Sequence, residues 1–179
     1  TGLTAGTYVD TITVDAPGAD NAPQEVEITL NLAEPAPEIG VDPTAFNFES
    51  TEGAKEVLYD TLNISNLGGG TLNWSAANAE AWLALDPTSG TAPSVVELAV
   101  TTDGLLAGVY EDTIQVSAPG ATNTPVNVPV VLTILEPAPI IGLSTDSLYF
   151  EAIEGGSDPA SQTVTVSNDG GQTLNWSAA

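Results

Sequence analysis

Thr71-Leu72-Asn73-Trp74-Ser75-Ala76-Ala77 returns letter for letter as Thr173-Leu174-Asn175-Trp176-Ser177-Ala178-Ala179, 102 positions later. A seven-residue identity containing tryptophan is not chance. Sliding the chain by that offset without a gap aligns residues 1–77 on residues 103–179, with 39 identities in the 77 pairs. A period this long signals whole domains in series rather than a solenoid of small units. Within the repeated stretch Leu72, Trp74 and Ala76 fall on one face of an extended chain, so it reads as a half-buried strand. Working outward, residues 1–35 are the C-terminal part of one repeat, 36–137 a complete repeat, and 138–179 the N-terminal part of the next.

Composition narrows the possibilities. Hydrophobic residues make up 42% and charged ones only 14%, so a folded core is within reach despite a net charge of −23. The abundance of Thr, Ser, Asn, Gly and Pro favours strands and turns. Twenty-four acidic residues face a single base, Lys55. Such a surface repels phosphate backbones and anionic lipid heads, which argues against nucleic-acid partners. Its self-repulsion would be relieved by salt or divalent cations, so a saline or calcium-containing extracellular or cell-surface setting is expected. Cysteine is absent, which removes disulfides and thiolate metal sites. No apolar run reaches the roughly 18 residues of a membrane span, so no insertion is expected within this segment. The chain contains no Met and no signal peptide, and is read as processed or as a window on something longer.

The strands can be taken in order. Thr11 to Val14 form a short strand stopped at Ala16-Pro17-Gly18, and Val26, Ile28, Leu30 and Leu32 alternate with polar residues, giving the last hairpin of a sandwich. Glu34-Pro35-Ala36-Pro37 recurs as Glu136-Pro137-Ala138-Pro139. Two prolines at alternate positions hold the backbone extended and remove two donors, so this is a short, rather stiff connector. In the complete repeat, Ile39 to Val41 and Phe46 to Phe48 read as one edge strand broken at Asp42-Pro43. Leu58, Leu62 and Ile64 mark the second strand, ending at Asn66-Leu67-Gly68-Gly69-Gly70, and Leu72 to Ala76 the third. Trp82 to Leu85 is a fourth, closed by the turn Asp86-Pro87-Thr88-Ser89-Gly90. Val96 to Val100 follow, then a final hairpin through Tyr110, Ile114, Val116 and Val126 to Ile134. About seven short strands without a helical period predict an all-β chain of tandem immunoglobulin-like antiparallel β-sandwich repeats, each about 100 residues. The third repeat restarts at Ile140, with strands expected at Leu148 to Phe150 and Thr163 to Asn168. Lacking counterparts of residues 78–102, it cannot close a sandwich alone. We read the chain as a window on a longer array in preference to copies that complete one another.

Asn73-Trp74-Ser75, Trp82-Leu83, Asp86 to Gly90, the stretch from Gly104 to Tyr110 and the closing strand of alternating valines resemble the BACON family of immunoglobulin-like domains over Pro43 to Leu135. The resemblance implies a β-sandwich in a secreted or surface protein. The family's name proposes carbohydrate binding, while its members commonly serve as spacers. The position two after the tyrosine, often small in such domains, is Asp10 in one repeat and Asp112 in the other.

Catalytic chemistry finds few residues to work with. His, Cys and Arg are absent, so triads, thiol nucleophiles and arginine clamps are not available, and the chain is expected not to be an enzyme. Paired carboxylates are better read as a solvated acidic face. Lys55 aligns with Ser157, which argues against an isopeptide bond as a repeated feature. Trp74 and Trp176 are expected in the core, while Tyr59 and Trp82 are the candidate sugar-stacking residues, Tyr59 aligning with Ser161. Asp103, Glu111 and Asp112 lie near a glycine-dense turn and are candidate calcium ligands, since oxygen-rich loops at sandwich ends suit that ion. No cofactor is required, calcium being the one ion considered. Asn63, Asn73 and Asn175 match the N-glycosylation pattern.

The function expected is that of a non-enzymatic extracellular structural repeat, the stalk of a surface adhesin or the subunit of a fibre. Its partners would be neighbouring repeats and copies of itself. The alternative is a carbohydrate-binding or spacer module of a secreted polysaccharide-degrading enzyme, with cell-surface glycans as ligands.

Overall fold

The computed structural model describes residues 2–179, and every regular element among them is a strand. An N-terminal hairpin pairs β1 (Gly6–Val14) with β2 (Gln24–Leu32). Nine strands make the complete repeat: β3 (Ile39–Asp42), β4 (Phe46–Thr51), β5 (Val57–Asn66), β6 (Asn73–Ala77), β7 (Leu83–Asp86), β8 (Ser89–Thr91), β9 (Ser94–Thr101), β10 (Gly108–Ser117) and β11 (Val126–Leu135). A last pair joins β12 (Ile141–Leu143) to β13 (Val166–Asn168).

The complete repeat is a sandwich of two sheets, β4-β11-β10-β6-β8 and β3-β5-β9-β7. The expected first edge strand is in fact two strands. Pro43 interrupts the ladder, and the chain crosses from one sheet to the other: β3 pairs antiparallel with β5, whereas β4 pairs parallel with β11. Ser89-Gly90, read from the sequence as the end of a turn, joins Thr91 in β8, which pairs with β6 and closes that sheet's edge.

Period-two alternation puts Leu62, Ile64, Val96, Leu98, Val100, Ile114, Val116, Val128, Val130, Leu132 and Ile134 between the sheets with almost no exposure. Each such burial contributes roughly 1.5–3 kcal/mol relative to an exposed position, which makes this cluster the main driving force of the fold. Trp74 and Ala76 join it, as expected for the third strand. The Tyr110 hydroxyl donates to Leu106 O at 3.0 Å, pinning the loop before β10, and Tyr8 donates likewise to Thr4 O at 2.7 Å.

The flanking pieces keep the same registers. Gly6 faces Leu32 as Gly108 faces Ile134, and Ile39 faces Asn66 as Ile141 faces Asn168, each pair shifted by the 102-residue offset. They differ in cover. Ile12, Val14, Val26, Ile28 and Leu30 remain about half exposed, while their counterparts in β10 and β11 are buried. Trp176, expected in a core, is 57% exposed because no second sheet lies over it. Leu148 to Phe150, expected as a strand, are unpaired. The equivalent Phe46 to Phe48 owe their strand to pairing with β11, and nothing plays that part for the third repeat here.

Candidate functional site

The most constructed polar feature is the carboxylate of Asp112. β10 alternates Tyr110, Asp112, Ile114 and Val116 toward the interior, so Asp112 is carried inward and only 8% of it is exposed. Its Oδ2 accepts from Asn78 Nδ2 and Glu80 N, both at 3.0 Å, and its Oδ1 from Ala79 N at 3.2 Å and Thr113 N at 2.7 Å. Burial disfavours the charge and raises the pKa, but the hydrogen bonds from Glu80, Asn78, Thr113 and Ala79 together outweigh it and hold the carboxyl below its ordinary range. Asn78 also donates to Glu80 O and Leu83 O. Carboxylate and amide together tie down the loop between β6 and β7. Asn78 was not singled out from the sequence, since it lies 34 positions from its partner and carries no motif.

This arrangement bears on the candidate calcium ligands. Asp112 spends its oxygens on N–H donors. Glu111 is its strand neighbour, so it faces the opposite side of the sheet and is exposed. Asp103 is exposed and pairs with Lys55 Nζ at 3.5 Å. The three carboxylates do not converge, and among the described residues no group of three acidic side chains is placed to hold a metal ion.

The aromatic candidates separate clearly. Trp82 is 8% exposed and belongs to the core cluster, which leaves little of its indole open to a sugar. Tyr59 is 64% exposed on the outer face of the four-stranded sheet. It stands opposite Ala99, which stands opposite Ala84, so its ring has only small neighbours along that row. Trp74 is buried with Gly90 against its indole, where a β-carbon would sit 3.1 Å from Cζ2; its Nε1 has no hydrogen-bond partner.

Of the three sequons, Asn63 lies within β5 and donates through Nδ2 to Asp42 O at 3.2 Å. Asn73 opens β6, with its Oδ1 accepting from Thr91 Oγ1 at 2.8 Å. Asn175 is exposed.

No helix of the described residues is long and apolar enough to cross a membrane. No curated protein matches the chain. Among solved structures, a Bacteroides ovatus GH5 xyloglucanase in complex with a XXXG heptasaccharide is 19% identical, with a TM-score of 0.45, over 55% of this chain and 19% of that one. A candidate carbohydrate-binding protein from Bacteroides ovatus is 12% identical over 60% of this chain and 40% of that one, also at a TM-score of 0.45. A Porphyromonas gingivalis protein of unknown function is 16% identical, covering 74% of this chain and 68% of that one, again at 0.45. The chain thus spans less than half the length of the first two. Residues 38–131, more than half of the chain, match the family model of the viral BACON domain, and the chain belongs to that family.

Proposed function

We propose that the chain is a non-catalytic spacer, a segment of a stalk or fibre built from sandwich repeats on an exposed surface. The observation that carries this reading is the recurrence of the same strand registers at both ends of the complete repeat, 102 residues apart. Series repetition of one sandwich yields length rather than a site. The fates of the polar and aromatic residues support it: Asp112 is consumed in holding a loop, and Trp74 and Trp82 in filling a core. The viral description of the matched family model makes the surface of a virus particle one setting for such a stalk, beside a cell surface.

One observation favours a second reading, a carbohydrate-binding module. Tyr59 presents its ring on an open sheet face, as a sugar-stacking residue would. Its counterpart Ser161 lacks a ring, so the site would not recur along an array.

A glycan microarray probed with the full chain and with Tyr59→Ala separates the two. The spacer reading expects no saturable binding by either protein. Saturable binding that Tyr59→Ala abolishes would overturn it in favour of the module.

A further inference from the structure

We propose that the turn at residues 66–70, and its counterpart at 168–172, is a docking site for the extended proline-containing connector. Each connector is then a fixed part of the repeat that follows it.

The connector has little hydrogen-bonding capacity of its own, because Pro35 and Pro37 carry no N–H. Two of its carbonyls and both polar backbone groups of the Glu38 that follows are taken up. Ala36 O accepts from Gly69 N at 3.1 Å, Glu38 O from Leu67 N at 2.9 Å, and Pro37 O from Thr122 N at 3.0 Å. Glu38 N donates to Asn66 Oδ1 at 3.1 Å. That oxygen also takes Gly68 N, and Asn66 Nδ2 donates to Gly69 O and Gly70 O, each at 3.1 Å. One asparagine side chain shapes the turn and grips the connector.

The second junction repeats the pattern with different side chains around it. Ala138 O accepts from Gly171 N at 3.4 Å, Ile140 O from Asp169 N at 2.8 Å, and Pro137 O from Gln172 N at 3.0 Å. Ile140 N donates to Asn168 Oδ1 at 3.2 Å, which also takes Gly170 N. The bonds to Ala36 and Glu38 recur at Ala138 and Ile140 although Asp169 replaces Leu67, so the common determinant is Asn-x-Gly-Gly, whereas the bond from Gln172 N to Pro137 O belongs to the second junction alone. The glycines are needed for close approach. A β-carbon on Gly69 would lie 2.8 Å from Pro35 O, and one on Gly171 2.7 Å from Pro137 O.

The clamp leaves few residues free to bend. Between the end of β2 at Leu32 and Ala36, whose carbonyl makes the first bond of the clamp, lie only Ala33, Glu34 and Pro35. At the second junction β11 ends at Leu135, and the very next carbonyl, that of Glu136, accepts from Gln172 Nε2 at 3.1 Å. Any bending is therefore confined to the N-terminal end of each connector, and the second junction is the tighter. A stalk on loose connectors would satisfy the spacer reading and fail this one.

The chain lacks cysteine, so Thr11→Cys on β1 and Thr61→Cys on β5, both exposed, can carry a unique pair of spin labels. Pulsed electron resonance then reads the distance distribution between them in the full chain. The expected result is one narrow distribution that Asn66→Ala or Gly69→Ala broadens about twofold or more, as a short unclamped linker would allow. Equal widths in the parent and the variants would overturn the proposal. Tryptophan emission reports folding. Should Asn66→Ala fail to fold, Gly69→Ala decides, since the atoms nearest its new methyl all belong to Pro35.

Discussion

Asp112 is conspicuous in the sequence, and its hydrogen bonds say more about its part in the fold than its charge alone. It stands out where such domains commonly carry a small side chain, and an acidic group near a glycine-dense turn suggests an ion. The structure instead gives it four N–H donors, three of them from residues 78–80. Strand spacing could have excluded Glu111 as its co-ligand, because neighbours on a strand face opposite ways. The partnership with Asn78 could not be read, because it is made only when β6 comes alongside β10. Asp112→Ala leaves those donors without their acceptor and is expected to cost about 3 kcal/mol in denaturant unfolding. Its dependence on pH has a definite sign. The folded-state pKa lies below the ordinary value of 3.8, so the stabilisation is complete above that value and is lost as pH falls through the lowered one. The stability gap between the parent and Asp112→Asn should be widest near neutrality and shrink once pH drops below 3.8. A gap independent of pH would show that the charge is not what matters. Trp74 carries the opposite lesson, an indole placed in the core correctly from alternation alone. Its unpartnered Nε1 means that Trp74→Phe forfeits packing without forfeiting a hydrogen bond. That variant should lose clearly less stability than Trp74→Ala, for which about 3–5 kcal/mol is expected in the same unfolding assay.

Among the elements, legibility followed the range of the interaction. The alternation in β5, β9, β10 and β11 is local and names the inward face of each strand directly. The division of the first strand between two sheets was not legible, because β4 gains its place by pairing with β11 more than 80 positions away. Ser89 and Gly90 looked like turn for the same reason: Pro, Ser and Gly dominate locally, yet β6 supplies a ladder for them. The tyrosine that closes the loop before β10 acts between these extremes, over four residues. Tyr110→Phe removes its bond to Leu106 O and is expected to lower stability by about 1 kcal/mol in thermal or denaturant unfolding, with the fold retained. The proline connectors are expected to be stiff from their own residues alone. That they are gripped was hidden, since the grip comes from an asparagine 28 residues further on.

At the scale of the molecule, a net charge of −23 opposes compaction, and among the described residues one exposed ion pair, Lys55 with Asp103, offsets little of it. Screening should therefore stabilise the chain, the Debye length falling to about 10 Å near 0.1 M salt. Sodium chloride is expected to raise the unfolding temperature, and calcium chloride at matched ionic strength to raise it equally. A further saturable gain with calcium would reveal a specific site instead. In the proposed spacer, like charge would favour an extended chain and the clamped connectors would limit its bending. The most direct measurement is the backbone order of the connector amides Ala36, Glu38, Ala138 and Ile140 by nitrogen-15 relaxation. If the connectors are built into the repeats that follow them, these amides should match the core strands, with order parameters of about 0.85. Values below about 0.6, typical of a flexible tether, would contradict the account of connectors held by the repeats that follow them.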